Sequence, residues 1–330
     1  MTVLRRRPLR AALAAALATP LFLTAACGGS SSGGSSGDNA VGGKQLPKTL
    51  VFSPLSLAPP ALKGLSEGVK GYASSKGWEV IVQDPNFDAT KQTQQLNEVI
   101  SSGRAGAAWV IANAPKSMGQ LLKTAQSKGV PILVNGKPDE YGYTGAQPGI
   151  TFDYIDYAAG GKELGSQLGK CITEKLGGTA KVLYTTSQEG SAGKQAFDTA
   201  ALDALKAAAP NATVVQQLPV VDRAKGQTDI GNVLQGHPDL SAVMAANDEG
   251  SLGALGAAGA AGKNLACVAD FGGNDEVLKD VKDGKMYASV ALQFNADMAQ
   301  SFDTLVKMQA DPKANGEILI VPQKTMTAGS

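Results

Sequence analysis

The sequence predicts an α/β protein of two similar doubly wound, parallel-sheet lobes, and three observations carry that reading. Strands alternate with helices along almost the whole chain, the order that builds a parallel sheet covered on both faces. Two apolar runs end in asparagine, AAWVIANAP at 107–115 and SAVMAANDEGSLGAL at 241–255. Such runs read as buried parallel strands that deliver polar side chains at their carboxyl ends. Each follows a Gln-Thr pair, Gln92-Thr93 and Gln227-Thr228, by about twenty residues, so the second half repeats the first.

The elements follow in order. A strand over 49–53 (TLVFS) precedes a helix over 61–76, in which Leu62, Leu65, Val69 and Tyr72 recur at helical intervals before Gly77 ends it. A strand over 78–83, a helix over 90–101, a strand over 107–112, a helix over 117–128 and a strand over 131–135 complete the first half. The second half runs through a helix over 157–171, a strand over 181–185, a helix over 194–208, a strand over 213–217 and a helix over 229–235. The strand opening at 241, a helix over 250–261, a strand over 265–271, a helix over 275–283 and a strand over 287–291 follow. After a helix over 295–310, EILIV at 317–321 is a strand left over from both counts. A leftover strand is expected where the chain crosses between lobes more than once.

The N-terminus is of another kind. Arg5, Arg6, Arg7 and Arg10 precede an apolar run over 11–26 and then Cys27, an export signal too short for a stable membrane span. Ala25-Ala26 before Cys27 resembles the lipobox of bacterial lipoproteins, in which the cysteine is lipidated and becomes the mature N-terminus. Thr24 stands where a leucine is usual, with Leu23 one place earlier; the alternative is an ordinary cleaved signal. Residues 28–45 carry GGSSSGGSSGDNAVGG, a flexible tether reaching roughly 20–25 Å. Anchored by Cys27, the protein would sit on the outer face of the cell membrane.

The 330 residues carry a formal charge of +1 and are 43 % hydrophobic, enough for two cores and without electrostatic pull toward nucleic acid. Catalytic chemistry is thinly supplied. The one histidine, His237, falls in the turn GHPD, so neither a His-based triad nor a zinc cluster can be assembled. QEGSAGKQ at 188–195 lacks the first glycine and the final Ser/Thr of a phosphate loop. The expectation is a non-enzymatic protein without cofactor or metal. Cys171 closes a helix and Cys267 opens a strand in an exported chain; a disulfide and two separate buried thiols are both open. Trp78 and Trp109 read as packing residues.

Small polar ligands need donors and acceptors at strand ends. Asn247 and its repeat partner Asn113 fit, because a carboxamide both donates and accepts. Asp248 is the expected helix cap, leaving Asn247 free to face a cleft.

The order of elements resembles the ribose-binding branch of the type I periplasmic solute-binding proteins over nearly all of the chain after the tether. KGWEVIVQD at 76–84, KQTQQLN at 91–97, KGVPILV at 128–134, DYAAGGKELG at 156–165 and AANDEGSLGAL carry the resemblance. It implies an N-lobe of 46–149 and 291–316, a C-lobe of 150–290 and 317–330, and a hinge of three crossings near Ile150, Val290 and Glu317. It also implies ligand contacts at Asn247, at Phe271 and at Lys194, the residue nearest the family's C-lobe arginine.

The chain departs from that pattern at several places. Gly272 replaces the carboxylate that usually follows Phe271, and Asp270 lies one place early. Gly136-Lys137 replaces an Asp-Arg pair, with Asn135 just before it. Leu55–Pro60 lacks the paired aromatics, leaving Ser53 and Ser56 as polar candidates, and Gln293 lies one past the family's glutamine. Tyr154 and Tyr157 lie near the first crossing. The implied function is capture of a monosaccharide or polyol by a monomeric lipoprotein component of an ABC sugar importer. A sensor presenting the ligand to a membrane receptor and, more remotely, an exported sugar-acting enzyme are the alternatives.

Overall fold

The computed structural model describes residues 46–311 and 313–330; Cys27 and the tether lie outside them. The first sheet contains β1 (Thr49–Ser53), β2 (Glu79–Val82), β3 (Ala107–Val110), β4 (Ile132–Asn135), β5 (Ile150–Tyr154) and β11 (Ile318–Ile320). Its order is β11-β5-β4-β3-β1-β2. The second contains β6 (Lys181–Thr186), β7 (Thr213–Pro219), β8 (Leu240–Ala245), β9 (Cys267–Gly272), β10 (Ala288–Leu292) and β12 (Gln323–Thr327), in the order β12-β10-β9-β8-β6-β7. The duplication read from the sequence is thus a duplication of topology. The sheets differ only in their final strands: β11 is parallel to β5, and β12 is antiparallel to β10.

Each sheet is covered on both faces, which is why its central strands carry almost unbroken apolar runs. In the first lobe α2 (Ala89–Ser101) and α3 (Gly119–Lys128) bury Leu96, Ile100, Leu121 and Leu122 on one face. On the other, α1 (Pro60–Ser75) and α9 (Phe294–Ala310) enclose Trp78, Trp109 and Phe302. In the second lobe α4 (Tyr157–Leu176) and α5 (Lys194–Ala208) cover one face, and α6 (Arg223–Gly236), α7 (Asp248–Ala260) and α8 (Asp275–Lys282) the other. Helices α4 and α5 touch backbone to backbone. A Cβ added at Gly161 or Gly165 would fall 2.2 Å from the Phe197 carbonyl oxygen or 2.1 Å from that of Ala201, so only glycine permits this approach.

Two strands and two helices differ from the sequence reading: α4 runs five residues past the expected 171 to Leu176, so Cys171 lies inside it and does not close it. Strand β5 was not expected, because Thr151 and Asp153 interrupt its apolar residues, although both are fully buried. Strand β12 is a half-exposed edge of polar alternation. Helix α6 begins six residues before the expected 229, where Asp222 accepts the Lys225 N–H at 2.8 Å.

Strand pairing also moves the hinge. Both β5 and β11 belong to the first sheet, so the first crossing falls at Ile155-Asp156 and not at Ile150, and the third at Val321-Pro322 and not at Glu317. The second falls at Gln293, three residues after Val290. Each sheet's hydrogen-bond ladder sets these limits, which apolar periodicity does not register.

Cys171 and Cys267 are disulfide-bonded, with Cα atoms 5.8 Å apart and a sequence separation of 96. Closing a loop of that length contributes about 4–5 kcal/mol in the chain-entropy description. The denatured, unreduced chain from Gly28 onward is therefore expected to expose no free thiol to a chromogenic titrant. Two reactive groups per chain would contradict the bridge.

Candidate ligand-binding cleft

All three crossings lie at strand carboxyl ends. Strand β5 passes through two residues into the N-terminus of α4, β10 passes through Gln293 into α9, and β11 turns at Val321-Pro322 into β12. The crossings are tied together: the Gln293 N–H donates to the Pro322 carbonyl at 2.8 Å, and Val321 N–H to that of Tyr154 at 2.9 Å. Gln323 Nε2 donates to the Asp156 carbonyl at 3.0 Å. The carboxyl edges of both sheets therefore meet at one hinge, and the polar strand ends border the cleft between them.

In the first lobe the loops after β1 and β3 are fastened by Gln92, which is completely buried. Its Nε2 reaches Ser53 Oγ at 3.1 Å and the Ile111 carbonyl at 2.9 Å, while its Oε1 accepts the Asn113 N–H at 2.8 Å. The Gln-Thr signature marks this fastening in the first lobe. In the second, Gln227 instead packs where a Cβ at Gly256 would fall, 2.9 Å from its Oε1. Asn113 is half-buried and donates Nδ2 to the Leu55 carbonyl at 3.2 Å. Ser53 and Ser56 are both fully buried, and Ser56 Oγ accepts the Ala58 N–H at 3.1 Å.

Asn135 is engaged within its lobe. Trp109 Nε1 donates to its Oδ1 and its Nδ2 donates to Asp153 Oδ2, both at 2.9 Å. Asp153 lies beside Asp297, the fourth residue of α9, and the carboxyls of both are raised, chiefly by burial. Burial, then the Asp297 charge, pushes the Asp153 carboxyl up to about 8. Asp297 Oδ1 accepts from Gln300 Nε2 at 2.8 Å, and Gln300 also donates to the Ile320 carbonyl at 3.0 Å. Gln300 so ties α9 to the end of β11, while Asn135 ties Trp109 to Asp153. Beside it, the Lys137 ammonium lies 5.1 Å from the centre of the Tyr154 ring.

The second lobe reverses the expected division of labour at Asn247-Asp248. Asn247 is the cap of α7: its Oδ1 accepts the Gly250 N–H and its Nδ2 donates to the Val220 carbonyl, both at 2.9 Å. Such a cap stabilises a helix by about 1 kcal/mol. Asp248 is the half-buried group, with Oδ1 accepting the Gly273 N–H at 2.7 Å. Its carboxylate fills the space beside Gly272, where an added Cβ would lie 2.3 Å from Oδ1; this accounts for glycine at 272.

Asp270 is fully buried behind it, bonded to Ser251 Oγ at 2.6 Å, and burial followed by the Asp248 charge raises its carboxyl to about 7. Phe271 is 6 % exposed and packs edge-on to Phe197, with ring centres 4.9 Å apart, so its ring belongs to the core in this conformation. Lys194 is paired with Asp198 and, at 3.1 Å, with Glu189. Gln293 occupies the second crossing, where Nε2 donates to the Ala291 carbonyl at 3.2 Å.

Asn113, Asn247, Lys194 and Gln293 lie half-buried beside strand carboxyl ends, Asn247 with both ends of its amide used within its lobe, while Ser53, Ser56, Asp270 and Phe271 are buried and Asn135 is bonded within its lobe. Sequence reasoning passed over Asp153 and Asp297, and read Asp248 only as a helix cap. Acidic residues in a buried strand or a first helical turn read as solvated until their neighbours are known. Among the described residues no group of three or more His, Cys, Asp or Glu side chains is placed to hold a metal ion.

Two doubly wound lobes, hinged by three crossings with polar strand ends on both sides of a cleft, define a two-lobed ligand-binding protein. Residues 51–313 match the periplasmic binding protein domain family, and the chain belongs to that family, one of extracytoplasmic binding proteins. It is 31 % identical over 289 residues to the ribose import binding protein RbsB of Bacillus subtilis, covering 86 % of this chain and 88 % of that protein. It is 27 % identical over 261 residues to the xylitol-binding protein of Mycolicibacterium smegmatis, covering 74 % and 70 %. An ABC transporter solute-binding protein from Actinobacillus succinogenes with bound D-allose shares the fold at a TM-score of 0.70 and 19 % identity, over 86 % of this chain and 98 % of that one. The Caulobacter myo-inositol binding protein does so at 0.67 and 21 %, over 87 % and 95 %.

The carboxyl pair has a pH signature. A carboxyl held near 8 in the folded chain and near 3.9 unfolded contributes stability that is complete below pH 4 and is lost as pH rises toward 8. Asp153→Asn cannot ionise, so its thermal midpoint is expected to gain on the wild type progressively from pH 5 to pH 8. Parallel midpoint curves for the two proteins would refute the raised Asp153 carboxyl.

Proposed function

We propose that this protein captures a small polyhydroxylated ligand, a monosaccharide or polyol, between its lobes and delivers it to a membrane ABC importer. The supporting observation is the meeting of both sheets' carboxyl ends at one three-crossing hinge, with carboxamides, an ammonium group and the Asp248 carboxylate beside those ends. Carboxamides and carboxylates match hydroxyl groups as donors and acceptors, and the relatives named above are binding proteins for ribose and xylitol. Groups on both lobes contact the ligand together only when the lobes close, so ligand shifts the open–closed equilibrium by differential affinity. Binding without turnover is the function. The one histidine, His237, follows the last turn of α6 and leads into β8, at the amino edge of its sheet and away from the cleft.

The protein works as a monomer at the outer face of the membrane, held by lipid on Cys27 and spaced from it by residues 28–45. This rests on the arginines, apolar run and Ala25-Ala26-Cys27 of the N-terminus. Mass analysis of the chain from its native membrane is expected to give an acylated N-terminal Cys27. A mature chain starting elsewhere, or an unmodified Cys27, would refute the anchor.

A thermal-shift series with D-ribose, D-allose, myo-inositol and xylitol tests the ligand class, because only a ligand of the folded state raises the midpoint. At 100 times its dissociation constant a ligand adds about 2.7 kcal/mol. At least one compound of the series is expected to raise the midpoint; no response to any at millimolar concentration would overturn the reading.

A further inference from the structure

Phe87, in the loop between β2 and α2, is 56 % exposed and adopts a backbone conformation that aromatic residues avoid. Asn86 and Phe87 have φ of 54° and 62°, the only positive values outside glycine among the described residues. Asparagine tolerates the left-handed region; for phenylalanine it is strained, and glycine would occupy it freely. The loop is fastened in this shape. Asp84 Oδ1 accepts the N–H groups of Asn86 at 2.9 Å and Leu57 at 3.1 Å, and Asp88 caps α2 through the N–H of Thr90 at 2.8 Å.

The fastening ties Phe87 to the loop after β1. Its N–H donates to the Leu55 carbonyl at 2.8 Å, the same oxygen that accepts from Asn113 Nδ2 at 3.2 Å. Leu55–Pro60 itself offers no aromatic side chain. Strand β2 is the sheet edge opposite β11, so Phe87 stands on the lip away from the hinge. In the second lobe the loop after the corresponding edge strand, β7, carries Val221, 63 % exposed. Strain retained to hold an exposed ring at a binding edge points to a contact completed by a ligand.

We infer that Phe87 is a ligand-contacting residue whose ring covers the C–H face of a cyclic sugar or polyol held beside Asn113. This rests on the functional reading above and adds a preference to it. An aromatic face packs against the apolar side of a ring whose hydroxyls point elsewhere, and an open-chain polyol presents no such continuous face.

The test compares the full chain with its Phe87→Gly and Phe87→Trp variants by calorimetric titration with D-ribose, D-allose, myo-inositol and xylitol. Phe87→Gly is expected to keep or raise the ligand-free melting midpoint, because glycine relieves the backbone, while weakening the tightest cyclic ligand about tenfold and xylitol less. Phe87→Trp is expected to bind and to shift its indole emission when that ligand is added. Unchanged affinity in Phe87→Gly overturns the inference alone, and so does a drop of more than about 2 °C in its ligand-free midpoint. An equal loss for cyclic and open-chain ligands also overturns it, assigning the ring to contact with Val221 on closure. A wild type that binds none of the four overturns the functional reading and the inference together.

Discussion

A buried parallel strand must satisfy its polar groups within the sheet until it ends, and at its carboxyl end the chain is released into a loop and helix. Everything distinctive about this protein follows from putting those ends of two sheets at one hinge. The repeated strand order makes the lobes alike, and the crossings from β5, β10 and β11 oblige their carboxyl edges to share a cleft. Ligand chemistry then needs no special fold. It needs only that the last residues of each strand be polar and that the layers behind them stay packed.

What stands behind the cleft is itself unusually polar. Asp153 with Asp297 in one lobe, and Asp270 with Asp248 in the other, place pairs of carboxyl groups at the boundary between core and cleft. Burial, and after it the neighbouring carboxylate's charge, raises Asp153 and Asp270 well above the usual carboxylate range. In the first lobe Asn135 joins Trp109 to Asp153, and Gln300 joins Asp297 to the Ile320 carbonyl. In the second lobe Asp270 supports Asp248 from behind, while the backbone of Gly273 holds it from the side. Gly272 leaves room for that carboxylate.

Residues whose environment is set by their own strand or helix were legible in advance. AAWV and SAVMA read as buried strands because apolar runs between turn signals have few other uses, and both are buried strands. Strand β5 was not legible, because Thr151 and Asp153 look like loop residues unless α9, some 140 residues later in the chain, is known to cover them. The exchange of roles between Asn247 and Asp248 had the same origin. Both can cap a helix, and the choice between them rests on the Val220 carbonyl and the Gly273 N–H, each more than twenty residues away.

By itself the sequence determined the alternation of strands and helices, the duplication, the two-lobed class and the strand ends where polar groups gather. These follow from local periodicity and composition, which act within a few residues. Tertiary structure alone decided between a disulfide and two thiols at Cys171 and Cys267, placed the hinge after Tyr154 and Ile320, and turned Phe271 inward. It also set which carboxyl groups are raised above their usual range. Those outcomes depend on distances between segments far apart in the chain, and on burial, which changes the charge a side chain can carry.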